Sequence, residues 1–175
     1  MKIAFVGTSC TGKTSLVEAC KQQIPNVVIV EEADRMWLQL HPEVTDRFGF
    51  AAQASVQQLA IQLEQAAEVG GGKLIICDRS VLDPAAYLFG LGDRAGAEKL
   101  YEIARPLIAH YDKIFLLDPR DVPYKTDEIR TEDEATRQLF HAGFVQFFEL
   151  YQVPYELLSG NHASRLRQVK TVLAK

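Results

Sequence analysis

Five short apolar runs, Ile3–Val6, Val27–Val30, Leu74–Cys77, Ile114–Leu117 and Tyr155–Leu158, are separated by longer stretches in which apolar residues recur at helical spacing. Each run is too short for a helix and does not alternate with polar residues, which predicts strands buried on both faces of a parallel sheet. Their alternation with helical patterns predicts an α/β fold, with helices covering both faces of a five-stranded sheet. Leu16, Val17 and Cys20 mark a helix after the first run. Ala52, Val56, Leu59, Leu63 and Ala66 mark a longer one that ends near Gly70-Gly71-Gly72 and packs on the sheet. Thr131-Glu132-Asp133-Glu134 has the spacing of a capping box, and Phe140, Phe144, Phe147, Phe148 and Tyr151 follow as an aromatic core stripe. The polar segment 119–131 is thus a loop between two firm elements. From Ala163 to Lys175, Arg165, Arg167, Lys170 and Lys175 surround Leu166, Val169 and Leu173, which predicts a closing helix with a solvated basic face. No repeat or linker interrupts this order, so one domain is expected over 1–175, with 119–131 as a lid segment.

Between the first run and its helix lies Gly7-Thr8-Ser9-Cys10-Thr11-Gly12-Lys13-Thr14, followed by Ser15. This is the G-x-x-x-x-G-K-[ST] phosphate loop, in the strand-to-helix setting its mechanism needs. Glycines let successive backbone N–H groups converge on phosphate oxygens, Lys13 reaches the β- and γ-phosphates, and the Thr14 hydroxyl ligates Mg²⁺. The helix adds its positive end. The motif therefore implies ATP and Mg²⁺.

Composition narrows the partners. The chain has 175 residues, 47% of them hydrophobic, which suits one domain with a full core. Its 19 basic and 23 acidic residues leave a net charge of −4, so a surface that coats nucleic acid is not expected. Cys10, Cys20 and Cys77 form no metal-ligand spacing and point to a reduced, cytoplasmic setting. No stretch approaches the roughly 18 apolar residues of a membrane span, and no cleavable leader precedes the phosphate loop. His41, His110, His141 and His162 form no ligand set.

Carboxylates at strand ends supply the rest of the candidate site, because ligands of open parallel sheets collect there. Asp78 closes the third run and is followed by Arg79, Ser80 and Asp83, which suits it to holding Mg²⁺ beside the phosphate loop. Asp118 closes the fourth in the same way, but Pro119 follows it and it reads as a turn residue. Glu31 and Glu32 close the second run; Glu32 can accept the proton of an attacking hydroxyl and can pair with Arg35. An acidic helix N-terminus would have the same composition. In the polar loop, Arg120, Lys125, Asp127 and Arg130, with Arg137 beyond, offer cations that could close over phosphates. Arg130 and Arg137 share a face only if helix runs through both.

The phosphate loop, Glu32-Ala33-Asp34-Arg35, the segment from Asp78 to Pro84 and Asp127-Glu128-Ile129-Arg130-Thr131 together resemble the AAA-type P-loop ATPase/kinase family related to the ribosylnicotinamide kinase domain of NadR. The likeness covers nearly the whole chain in order, although Glu128 stands where the family's lid pattern has glycine. Asp78-Arg79-Ser80 also resembles the E-R-S of deoxynucleoside kinases, which implies a three-layer fold with strand order 2-3-1-4-5. The resemblance implies that Lys13 and Thr14 bind phosphate and Mg²⁺, that Asp78 sits near the metal and that Arg130 acts from the lid.

The resulting expectation is ATP- and Mg²⁺-dependent phosphoryl transfer to a small nucleoside-like acceptor. Lys13, Glu32, Asp78 and Arg130 carry the chemistry. Gly7 to Ser15 and Arg137 hold the nucleotide, and Glu31, Arg35, Arg79 and Asp83 hold the acceptor. An accessory ATPase or NTP-driven switch acting on a protein, and a polynucleotide 5′-kinase, remain open alternatives. No guanine-reading N-K-x-D is present, and oligomeric state is not legible.

Overall fold

All five apolar runs form strands in the computed structural model, which describes residues 1–124 and 133–174. They are β1 (Lys2–Val6), β2 (Val27–Val30), β3 (Leu74–Asp78), β4 (Lys113–Leu117) and β5 (Glu156–Leu158). They pair in parallel in the order β2-β3-β1-β4-β5. The register sets Phe5 opposite Asp78, so the third strand ends beside the start of the phosphate loop.

Strand alternation divides the core in two. Ile3, Phe5, Ile76, Phe115, Leu117 and Leu158 face α1 (Lys13–Gln23) and α7 (His162–Leu173). Ala4, Val6, Ile75, Cys77, Ile114 and Leu116 face the layer that includes α3 (Phe50–Val69), α4 (Asp83–Gly90), α5 (Arg94–Ala104) and α6 (Glu134–Leu150). A shorter helix, α2 (Ala33–Leu40), follows β2, and 3₁₀ turns cover Arg105–His110 and Pro119–Asp121. The edge strand β2 is only partly buried except at Val30, because one flank has no neighbouring strand.

Three expectations change. The capping box is displaced: Asp133 is the N-cap of α6 and its carboxylate accepts from the Thr136 N–H at 2.8 Å, while Thr131 and Glu132 lie outside the described residues. The basic face of the last helix is not wholly solvated, since Arg165 is buried. On α3 the deepest face carries Ala52, Gln53, Val56, Gln57, Ala60 and Glu64, with Leu59 and Leu63 flanking it. Those polar side chains are buried because each has a partner. Gln57 donates to the Val81 and Leu100 carbonyls at 2.9 Å, and Gln53 donates to the Arg47 carbonyl at 2.8 Å. Glu64 meets Lys2 at 2.5 Å and the Tyr111 hydroxyl at 2.7 Å.

The aromatic stripe is core as expected: Phe140, Phe144, Phe147 and Phe148 are buried. It reaches α4 because two glycines meet there; a Cβ on Gly143 would lie 2.6 Å from Gly90 Cα. Gly143→Ala is expected to destabilise the protein by about 1–3 kcal/mol through overpacking, although alanine contributes about 1 kcal/mol to an unconstrained helix interior. Urea unfolding checks the sign; a more stable variant would show that the two helices do not depend on this approach.

Candidate phosphate site and adjoining cleft

The phosphate loop leaves β1 at Gly7 (φ 126°) and reaches α1 at Gly12 (φ 86°), with Cys10 also at positive φ (54°). Glycine is required at Gly7, where a side chain would be strained and crowded against Leu116 and the Leu117 carbonyl at 3.3 Å. The Lys13 ammonium is folded into the loop and donates to the Gly7 carbonyl at 2.8 Å and the Thr8 carbonyl at 2.6 Å. Burial pushes its pKa down to about 7, the Arg79 charge adds to this, and Glu32, Asp78 and Asp83 oppose it. An arriving phosphate would favour its charged form.

Thr14 and Asp78, which are 64 positions apart, are brought together: the Thr14 hydroxyl donates to Asp78 Oδ2 at 2.7 Å. Asp78 Oδ1 is buried without a hydrogen-bond partner, as are the Thr8 and Ser9 hydroxyls. Burial, then the nearby Glu32 charge, raises the Asp78 pKa. A single carboxylate and a hydroxyl beside a phosphate cradle fit Mg²⁺, which keeps waters and takes its other ligands from phosphates. No cage of three or more His, Cys, Asp or Glu occurs among the described residues.

Next to the loop opens a cleft lined by Ser9, Glu31, Glu32, Arg35, Asp78, Arg79 and Asp83, with Phe48 and Tyr87 as its aromatic surfaces. Arg79 organises it. Its Nε donates to Glu32 Oε1 at 2.6 Å, and its Nη1 donates to the Tyr87 hydroxyl at 3.0 Å, the Gly7 carbonyl at 3.2 Å and Asp83 Oδ1 at 3.3 Å. Burial opposes its charge, yet Tyr87, Glu32 and Asp83 hold its pKa well above the ordinary arginine value. Asp83 in turn accepts from the Ser80 N–H and hydroxyl at 3.0 and 2.8 Å, and burial raises its pKa. The expected Glu32–Arg35 pair is present at 3.5 Å, and Glu32 also occupies the N-cap position of α2. Glu31 is exposed at the cleft, and Ser15 is exposed in the first turn of α1.

Other sequence-predicted residues are placed differently. Lys125, Asp127, Glu128 and Arg130 lie outside the described residues; of the expected lid segment 119–131 only 119–124 is described, and it begins with the turn Pro119–Asp121. α6 is described from Glu134 and carries Arg137, so the expected shared face of Arg130 and Arg137 also falls outside the described residues. Arg137, expected on the nucleotide, donates to the carbonyls of Cys10 at 3.1 Å, Pro119 at 2.9 Å and Val122 at 3.0 Å, which places it against the phosphate loop. Asp118 is a turn residue, as expected: it accepts from the Arg120 N–H, and its bonds to Arg120 hold its pKa below the usual carboxylate range. Sequence reasoning missed Phe48, Tyr87 and Arg165. Only Arg165 had a local signal, as a charge beside the apolar positions of its helix.

The strand order and the loop after β1 define the fold of P-loop kinases. The sequence matches the AAA domain family over residues 2–165, and the chain belongs to that family. Among solved structures it is similar to deoxyadenosine kinase from M. mycoides with dCMP and dCDP as products, at 16% identity and a TM-score of 0.68 over 99% of each chain. It is also similar to the NadR protein in complex with NR, at 16% identity and a TM-score of 0.75. That match covers 99% of this chain but 48% of NadR, so the chain spans about half of that protein. Comparison with curated protein sequences gave no match. Among the described residues, no helix is long and apolar enough to cross a membrane.

The cysteines give a chemical check on the loop. Burial raises the Cys20 thiol to about 11 and the Cys77 thiol well above its ordinary value, whereas Cys10 is partly exposed. At pH 8 a thiol of pKa 11 is about one-thousandth ionised, so iodoacetamide is expected to label Cys10 well before Cys20 or Cys77. Peptide mass mapping reads the order; simultaneous labelling would contradict the burial of Cys20 in α1 and Cys77 in β3.

Proposed function

We propose that the protein transfers the γ-phosphoryl group of ATP to a hydroxyl of a small nucleoside-like acceptor. The observation that carries this reading is the contiguity of the phosphate loop and Thr14–Asp78 pair with a cleft that has both charged and aromatic walls. A phosphate-binding loop alone would serve an ATPase equally well. The cleft adds a place for a polar ring-bearing acceptor: Phe48 and Tyr87 offer apolar and aromatic surface, while Glu32, Arg79 and Asp83 offer hydrogen-bonding groups. The dCMP and dCDP bound by the similar deoxyadenosine kinase, and the NR bound by NadR, are consistent with such an acceptor.

In this reading Lys13 leaves the Gly7 and Thr8 carbonyls and takes the phosphates, and the loop's N–H groups hold the remaining oxygens. Thr14 and Asp78 would hold Mg²⁺, whose contribution is to offset charge on the transferring phosphoryl group. Glu32 would receive the proton of the acceptor hydroxyl, its orientation set by the bond from Arg79 Nε. Arg79 spans the Gly7 carbonyl and the Glu32 carboxylate, so it would hold the acceptor side of the site in register with the donor side. Arg35, Glu31 and Asp83 would orient the acceptor, and Arg130 would close from the lid. The whole of 1–175 would act as one domain, in a cytoplasmic setting.

Incubation with Mg·ATP and a panel of nucleosides, nucleotides and ribosylnicotinamide, followed by mass analysis, tests the reading. A new phosphorylated product is expected, whereas ADP without one would replace the kinase by an accessory ATPase. Lys13→Ala is expected to lower transfer by about 10²-fold or more while the far-UV spectrum stays native; near-normal turnover would refute the loop's role. Glu32→Gln keeps an acceptor for Arg79 but removes the base, so single-turnover transfer should slow by about 10²-fold or more with less effect on ATP affinity. Weakened ATP binding with an unchanged transfer rate would remove Glu32 from that role.

A further inference from the structure

The backbone of the phosphate loop makes little regular structure, so its carbonyls must find other donors. Four are held by cations. Gly7 and Thr8 accept from Lys13, and Gly7 also accepts from Arg79. The next two lie on the part of the loop that approaches α1: Cys10 accepts from Arg137 Nη1 at 3.1 Å, and Thr11 accepts from Arg165 Nη1 at 2.6 Å. Each arginine carries its other Nη to the exit of β4. Arg165 Nη2 donates to the Asp118 carbonyl at 2.6 Å, and Arg137 Nη2 donates to the carbonyls of Pro119 and Val122. Both arginines are 2% exposed. Their acidic neighbours are peripheral: Glu134 pairs with Arg137, and Asp121 lies 3.9 Å from Arg165.

The planar trans peptide converts this arrangement into a constraint on the opposite side of the backbone. In such a unit the C=O of one residue and the N–H of the next point in opposite directions, and the described chain has no cis peptide. When Arg137 holds the Cys10 carbonyl, it turns the Thr11 N–H away from itself. When Arg165 holds the Thr11 carbonyl, it does the same for the Gly12 N–H. These are two successive donors of the loop, and a nest of successive N–H groups is what binds an anion.

We propose that Arg137 and Arg165 are positioning residues that pin the outer carbonyls of the phosphate loop and thereby aim the Thr11 and Gly12 N–H groups at a bound phosphate. The proposal rests on the reading of this loop as a nucleotide site. The planar guanidinium forks matter because each grips two segments at once, which an ammonium cannot reproduce in the same geometry. Helices α7 and α6 thus reach the donor site through its backbone.

Arg165→Lys keeps the charge and loses the fork, and Arg137→Lys is the parallel variant. Each should raise the Kd for Mg·ATP by about tenfold, with the KM for ATP rising by a larger factor than kcat falls. Hydrogen exchange should accelerate in the peptide covering 7–13 and stay at wild-type rates in β1 and β3. A lysine variant with wild-type Kd and loop exchange overturns the proposal. So does exchange that accelerates across the whole sheet, which would make the arginine a stabiliser of the fold alone. Arg165→Gln, which reaches one carbonyl, takes the place of a lysine variant that does not fold. If the wild-type protein binds no Mg·ATP, the nucleotide reading fails separately, and the exchange of peptide 7–13 still decides whether the arginines hold the loop.

Discussion

Arg79 is a buried positive charge, and the geometry of the cleft follows from the need to satisfy it. A guanidinium removed from water costs several kcal/mol unless it is paired and hydrogen-bonded. Its partners come from different parts of the fold: Glu32 from the end of β2, Asp83 and Tyr87 from α4, and Gly7 from the phosphate loop. Arg79 itself sits in left-handed backbone at φ 81°, which for a non-glycine residue stores about 1–3 kcal/mol. Its own N–H donates to the Phe5 carbonyl at 3.0 Å, so the strained residue is still attached to β1. The strain persists because its surroundings fix it from several sides.

Other charges buried near the sheet obey the same rule. Lys2, Glu64 and Tyr111 join the start of β1, the inner face of α3 and the approach to β4, and the Tyr111 hydroxyl also accepts from the Val81 N–H. Burial raises the Glu64 pKa against the pull of Lys2, and it raises the Tyr111 pKa as well. Glu64 also lines the cleft, so this network forms part of its wall. The cleft is therefore framed by paired buried charges at both Arg79 and Glu64. Removing one member of such a set leaves an uncompensated charge, so these groups hold particular geometries rather than simply adding to stability.

How much could be read from the chain depended on whether a signal was local. The strand runs were legible because a strand buried on both faces must be apolar throughout. The phosphate loop was legible because its backbone requires particular residues at fixed spacing. The inner face of α3 was misplaced because Gln53, Gln57 and Glu64 look like surface residues until the carbonyls and hydroxyl that satisfy them are known. Apolar spacing therefore selected Leu59 and Leu63, which flank the buried face. α4 carried no periodic pattern because Asp83 to Phe89 are all buried.

The same division runs through the candidate site. The sequence by itself determined which residues could hold a phosphate, that Asp78 ends a strand, and that strands and helices alternate into a parallel sheet. These depend on spacing within a few residues. Only the tertiary structure decided that Thr14 bonds Asp78, that Arg79 takes Glu32, Asp83 and Tyr87 as partners, and that Arg137 and Arg165 grip loop carbonyls. The physical reason is that an arginine's partner is any acceptor the fold brings within reach. For Arg165 that acceptor belongs to Thr11, 154 positions away, and no local pattern encodes the meeting.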